Sequence, residues 1–460
     1  MTENIWRQGE LIEVEIIDLS DSGDGVGKYL SGKGGSVVFV PDTAVGDRIL
    51  TRLVKVKSRY AKGKLVEILQ PSPHRIRPHC IVADKCGGCQ WQHIDYQFQL
   101  SAKRNQVIQA LERIGGFTNP PVNPVINSSN YLDYRNKVTY PVDKSQTGEL
   151  IAGYYQKGTH KLINLNQCPV QDQRFNSLLS QVKADMRKRG WEPYNETTHQ
   201  GQIRHIGLRI GRRTGEILLT LVTKYLNIPG IEEQAQEWLD HYPPLVGVML
   251  NQNDKRTNVI FGSTSKCIAG RPYLREIFAG LNFQVRSHTF FQVYTETAEV
   301  LVQIIKSELN LQESSIFIDA YCGIGTLTLP IAKQVKQAIG LEVQAEAVEQ
   351  AELNARLNKI NNVTFKTGKV EELLSKIEVK PDVVLLDPPR KGCQESVIES
   401  LLELKPTQIV YVSCKAATLA RDLKLLCQGE VYKITKIQPA DFFPQTSHVE
   451  AVAFLVLSPE

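Results

Sequence analysis

Ile316-Phe-Ile-Asp-Ala-Tyr-Cys-Gly-Ile-Gly-Thr326 decides the fold. A short, nearly continuous apolar run reaches an acid, turns through two glycines and leads into a helical stretch. Apolar runs without alternation mark parallel strands buried on both faces. Others follow at Gln337-Ala-Ile-Gly-Leu-Glu342, Asp382-Val-Val-Leu-Leu-Asp387 and Gln408-Ile-Val-Tyr-Val-Ser413, separated by helical patterns such as Val343–Asn358 and Thr418–Leu426. Strands alternating with helices predict a doubly wound, Rossmann-like α/β domain over residues 284–460, with a mainly parallel sheet.

Such sheets bind ligands beyond the carboxyl ends of their strands. Gly323 and Gly325 permit a tight turn that a ligand can approach closely. Glu342, nineteen residues after Gly323, can accept hydrogen bonds from both hydroxyls of a ribose. Two glycines rather than three, with no Lys-Ser/Thr following, disfavour a dinucleotide or triphosphate and suit S-adenosylmethionine. Leu386-Asp-Pro-Pro-Arg390 holds Asp387 on a stiff turn at the same edge. Cys414 ends another strand, where it is either a buried structural thiol or a nucleophile. Glu450 opens the last apolar run, a costly place for an unpartnered acid and hence a candidate base.

Outward from this domain, residues 1–70 read as a small β-barrel of the oligonucleotide-binding kind. Leu11-Ile-Glu-Val-Glu-Ile-Ile alternates, Gly35-Ser-Val-Val-Phe-Val reads as a buried strand, and glycines at 23, 25, 27, 32, 34 and 35 mark the turns. The alternation at 54–57 predicts Val54 and Val56 inward and Lys55 and Lys57 outward. Between Arg48 and Arg77 stand nine basic residues against one acid, Glu67, while the whole chain carries +5. A cationic block on a near-neutral chain fits a polyanion partner. Pro71-Ser-Pro-His-Arg-Ile-Arg-Pro78 reads as a linker. A helix at 96–119, with Phe98, Leu100, Val107, Leu111 and Ile114 as its apolar face and Gly115-Gly116 as its stop, is expected to pack on the catalytic domain. Residues 71–95 and 120–283 form a mixed α+β central domain.

Cys80-x5-Cys86-Gly-Gly-Cys89, with Cys168 downstream, has the makings of a four-cysteine site for zinc or an iron–sulfur cluster. Nine cysteines without a secretory signal argue for reduced thiols and a cytoplasmic protein. No run of about 18 uncharged apolar residues occurs, so no membrane span is expected.

Together the basic barrel, the four cysteines, Phe290-Phe-Gln-Val293, Asp319-Ala-Tyr-Cys-Gly-Ile-Gly-Thr326, Leu386-Asp-Pro-Pro-Arg390, Ser413-Cys414 and His448-Val-Glu450 resemble the RNA uracil-5-methyltransferase family, of the type with an N-terminal TRAM domain. The resemblance spans essentially the whole chain. It implies a 4Fe–4S cluster on Cys80, Cys86, Cys89 and Cys168. It also implies S-adenosylmethionine contacts from Gln292, Tyr321, Glu342 and Asp387, with Cys414 as nucleophile and Glu450 as general base. Arg135 and Lys137, in Tyr134-Arg-Asn-Lys137, resemble an RNA-facing segment. Tyr294 and Lys415-Ala416 depart from the family pattern. The expected substrate is a uridine in RNA, 23S rRNA first and tRNA as the alternative, with the protein acting as a monomer. A DNA cytosine-5-methyltransferase is disfavoured because that family places a Pro-Cys nucleophile earlier in its motif order. A non-catalytic RNA-binding or RNA-folding protein is disfavoured by the presence of both Cys414 and Glu450.

Overall fold

The computed structural model describes residues 6–29, 37–127 and 130–459. Gly32, Gly34, Gly35 and Ser36, and the extreme N-terminal residues 1–5, lie outside these. Among the described residues no helix is long and apolar enough to cross a membrane.

Five strands close the N-terminal barrel in the order β1-β2-β3-β5-β4: β1 (Leu11–Leu19), β2 (Gly25–Tyr29), β3 (Val37–Val40), β4 (Arg48–Val56) and β5 (Tyr60–Gln70). Ile12, Val14, Ile16, Val38, Val40, Ile49, Leu53 and Ala61 fill it. The reading of 54–57 needs correcting. The β4–β5 register shifts between Leu53 and Lys55, so Leu53 points inward while Val54 is exposed beside Lys55. A bulge that adds one residue breaks the period-2 alternation.

Helix α1 (Tyr96–Ala110) continues as one π turn, Leu111–Gly115, and stops at Gly116 with φ +75°. It packs against the catalytic domain. Of the expected apolar face, Val107 and Leu111 are fully buried, Phe98 and Leu100 partly so, and Ile114 is exposed; Tyr96, Gln99 and Lys103 are buried besides.

The central domain is built on a sheet ordered β12-β11-β10-β9-β6-β7-β8: β6 (Lys137–Lys144), β7 (Leu150–Tyr155), β8 (Leu162–Asn164), β9 (Ile203–Ile210), β10 (Ile217–Thr223), β11 (Leu245–Gln252) and β12 (Thr264–Gly270). Helices α2 (Phe175–Lys188) and α3 (Ile231–His241) cover it. A hairpin follows, β13 (Tyr273–Phe278) and β14 (Leu281–Arg286). The boundary read at 283/284 falls inside β14. Leu274, Phe278 and Phe283 share a core with Phe317 of the catalytic sheet, and the Gln284 amide donates to Asn354 Oδ1 at 2.9 Å, so the hairpin goes with the catalytic unit.

That unit holds α4 (Thr295–Glu308), β15 (Ile316–Ala320), α5 (Thr328–Ala332), β16 (Gln337–Glu342), α6 (Ala345–Leu357), β17 (Val363–Thr367), α7 (Val370–Leu373), β18 (Val383–Leu386), α8 (Glu395–Leu404), β19 (Gln408–Ser413), α9 (Ala416–Leu426), β20 (Tyr432–Ala440) and β21 (Glu450–Leu457). The sheet order is β17-β16-β15-β18-β19-β21-β20. The pairs from β17 to β19 are parallel, and β21 and β20 are added antiparallel. The chain proceeds outward from β15 through β16 and β17, then returns to β18 on the other side of β15. The crevice at that reversal is where doubly wound folds bind ligands.

Candidate active site

All the strand-end residues singled out converge there. Gln292, Tyr321, Glu342, Asp387, Cys414 and Glu450 line one cavity of about 790 Å³. The corner after β15 demands unusual backbone: φ is +73° at Tyr321, +54° at Gly323 and +86° at Gly325. A non-glycine residue in the left-handed region is strained. Tyr321 and Cys322 are held in place by donating their amides to Leu341 O. An added Cβ at Gly323 would meet nothing within 4 Å, so this corner leaves open space above the backbone.

Glu342 accepts from the Gly323 amide at 3.1 Å and the Gln344 amide at 2.8 Å, which aims its carboxylate at the cavity. Beneath it, Thr328 donates to Asp319 Oδ2 at 2.5 Å. Asp319 Oδ1 is buried without a partner, and burial pushes that carboxyl up to about 8. A cavity with a diol-accepting acid, no phosphate cradle and further acids beside it fits a nucleoside carrying a cationic sulfonium.

On the other side of the cavity, Ser413 of β19 pairs with Ala451 of β21. Continuing that register sets Cys414 opposite Glu450. Burial pushes Glu450 up to about 8, with Asp387 adding and Arg390 opposing. Asp387 is raised to about 7 by burial. Burial and Glu450 raise the Cys414 thiol, and Arg390 again opposes. Arg390 is therefore the cation that favours ionisation of both groups. The sequence reading missed its role, together with Phe443 and His448, which line the same cavity with ring centroids 5.7 Å apart.

Cys414, Arg390 and His448 also line a second space of about 750 Å³, walled by β1 and β3 of the barrel, by α1 and by Lys415. The thiol thus stands between the cofactor cavity and a groove reaching the barrel. On the barrel, Arg52 lies opposite Lys64 and Lys55 opposite Lys62. Like charges directly opposite each other are unfavourable unless an anion lies over them.

Cys80, Cys86, Cys89 and Cys168 line one cavity of about 210 Å³ with Arg135. All nine cysteines are free thiols. Burial, reinforced by the neighbouring cysteines, pushes Cys89 up to about 12 and Cys168 to about 11. Among the described residues no three His, Cys, Asp or Glu side chains are grouped so as to hold a metal ion. The expected ligand set shares a cavity without forming a coordination sphere.

Arg135 and Lys137 are both partly buried. Arg135 faces the cysteine cavity and donates Nε to Lys137 O at 3.0 Å. Lys137 Nζ lies 5.1 Å from the Phe261 ring centroid, and burial holds it well below the usual lysine range. Of the two departures, Tyr294 is buried with its ring 4.8 Å from Tyr134, whereas Lys415 stands in the groove.

A doubly wound sheet with this pocket, opening toward an oligonucleotide-binding type of barrel, defines an S-adenosylmethionine-dependent methyltransferase that acts on RNA. Residues 95–457 match the tRNA (uracil-5-)-methyltransferase family, and residues 6–66 match the TRAM domain; the chain belongs to this RNA uracil-5-methyltransferase family. It is 69% identical over 458 residues to an uncharacterized RNA methyltransferase of Nostoc sp., covering 100% of this chain and 99% of that one. It is 52% identical over 454 residues to another of Synechocystis sp., covering 99% and 97%. The crystal structure of Pyrococcus abyssi tRNA (uracil-54, C5)-methyltransferase in complex with S-adenosyl-L-homocysteine superposes with a TM-score of 0.78 at 28% identity, over 96% of this chain and 99% of that chain.

Proposed function

We propose that the enzyme methylates C5 of a uridine through a covalent adduct, with Cys414 as nucleophile and Glu450 as base. The observation that carries this is the register of β19 and β21, which sets the thiol and the acid side by side on the wall of one cavity. Uracil C5 becomes nucleophilic once a thiolate adds at C6. Bound S-adenosylmethionine supplies the methyl group, held by Gln292, Tyr321, Glu342 and Asp387. Glu450 then takes the C5 proton, and Cys414 leaves as the C5–C6 double bond re-forms. The target base must leave its stack to reach this pocket, and the groove between barrel and Cys414 offers its path.

The acceptor proposed first is 23S rRNA, with the cationic β4–β5 face supplying phosphate contacts independent of sequence. The tRNA reading has its own support. The Pyrococcus abyssi enzyme covers 96% of this chain, too much to omit the barrel, so the barrel alone does not separate the substrates. Mapping 5-methyluridine by mass spectrometry in rRNA and tRNA, with and without the gene, decides between them.

The shared cavity of Cys80, Cys86, Cys89 and Cys168 supports a 4Fe–4S cluster that ties the 80–89 loop to the segment at 168 as a structural clamp. Arg135 and Lys137 are proposed to support RNA binding only indirectly, by shaping the central domain. The protein is proposed to act as a cytoplasmic monomer.

A further inference from the structure

Glu450 stands at the end of a nine-residue loop, Asp441–Val449, that joins β20 to β21. Ala440 pairs with Glu450 at the base of the loop, and Phe443 and His448 reach from it into the catalytic cavity. Such a loop has many conformations, and a base needs one of them.

The buried face of α1 supplies the missing restraint. Lys103 and Asp441 are both fully buried, with Lys103 Nζ 2.6 Å from Asp441 Oδ1. The same ammonium donates to Phe443 O at 3.1 Å. Tyr96 OH donates to Asp441 Oδ2 at 3.1 Å, and the Phe443 amide donates to Oδ1 at 3.0 Å. One turn away, Gln99 accepts from the Gln445 amide at 3.0 Å and donates to Gln445 Oε1 at 3.2 Å, holding a residue with φ +71°. The barrel fixes the last point: Ser447 Oγ donates to Asp21 O at 2.8 Å. Elsewhere along the loop the Trp91 amide donates to Gln445 O at 3.0 Å and Tyr134 OH to Pro444 O at 3.1 Å, but among the described residues the only buried ion pair on it is the one from α1.

A buried ion pair is poor value as a stabiliser, because desolvation offsets its attraction, but it can specify one geometry. We infer that Lys103 and Asp441 are positioning residues for the general base: they hold the Asp441–Val449 loop so that Glu450 meets the C5 proton. Cys414 is positioned independently, at the end of β19 between β18 and β21. The inference rests on the proposed adduct chemistry and separates its two halves. Disturbing Lys103 slows proton removal and elimination while sparing thiolate addition.

The test uses Lys103→Met in the full chain, with rRNA and tRNA from cells lacking the gene and with 5-fluorouridine-substituted RNA. Fluorine cannot leave as a proton does, so that RNA traps the adduct without Glu450. The variant should bind S-adenosylmethionine as wild type does and trap 5-fluorouridine RNA at a similar rate. On unsubstituted RNA its turnover should fall about 10²-fold, the scale of a small misplacement, while a methylated RNA–protein band persists on a denaturing gel. Turnover within about twofold of wild type in the folded variant overturns the inference. So does loss of 5-fluorouridine trapping with cofactor binding retained, since Lys103 would then hold the whole site. If Lys103→Met leaves Asp441 too costly to bury and does not fold, Lys103→Met/Asp441→Leu removes both charges. Tyr96→Phe, which removes one hydroxyl, is the mildest version, and both are judged by the same two outcomes. If the wild type traps no 5-fluorouridine RNA, the adduct reading fails instead.

Discussion

Cys89 and Cys414 are both thiols whose ionisation is opposed by burial, yet their neighbours differ in kind. Cys89 sits among Cys80, Cys86 and Cys168, and each would-be thiolate makes the next harder to form. Cys414 sits beside Glu450 and Asp387, with the Arg390 cation opposing both acids. In the first environment the sulfurs oppose one another's ionisation. The second suits a single sulfur that ionises when charge in its cavity changes. What sets Cys414 apart is an acid opposite it on the neighbouring strand and a nearby cation, and the proposed nucleophile role rests on that difference.

The largest effect that can break this contrast is Cys414→Ala, which should lower methyl transfer by more than about 10³-fold and abolish any covalent RNA band. Retained activity in a single-turnover assay would move the nucleophile elsewhere. Cys86→Ser should act on the other sulfur site. The purified protein should be brown, absorbing near ~400 nm, and the variant should lose that colour. A colourless, zinc-loaded wild type prepared anaerobically would end the cluster proposal.

Arg390→Gln sharpens the contrast through pH. In the proposed mechanism elimination needs a deprotonated Glu450, so turnover to released 5-methyluridine RNA should rise with pH toward the Glu450 value of about 8. Arg390 pulls both groups down, so removing it should move that rise upward by under about one pH unit, as Arg390 is exposed and screened. An unmoved pH profile would leave Arg390 without a role in ionisation. The smallest effect belongs to the barrel. Arg52→Gln/Lys64→Gln should reduce the slope of log affinity against log salt by about 1–2 and leave both sulfur sites unchanged. A full salt slope would make the ladder a solvated face.

The catalytic half was legible because its signals are local. Apolar runs with glycine corners place Tyr321 and Glu342, and strand ends place Asp387 and Cys414, within a few residues of each pattern. Helix α1 was read only in part: Val107 and Leu111 are buried as expected, but the polar part of its buried face was not foreseen. Tyr96, Gln99 and Lys103 can be buried only because Asp441 and Gln445, more than three hundred residues away, receive their hydrogen bonds. Val54 was misread because a bulge depends on the partner strand and not on its own residues. Arg135 shares the cavity of the four cysteines, a placement set by segments distant in sequence from its own.

The central claim is a division of labour between Cys414 and Glu450, and Glu450→Gln tests it most directly. The amide keeps the shape of the acid but cannot accept the C5 proton. Incubated with RNA and S-adenosylmethionine carrying a labelled methyl group, the variant should form a labelled RNA–protein band that survives a denaturing gel, and Glu450→Gln/Cys414→Ala should form none. Loss of turnover without that band would contradict the assignment of Glu450 as the base. A band persisting without Cys414 would contradict the nucleophile.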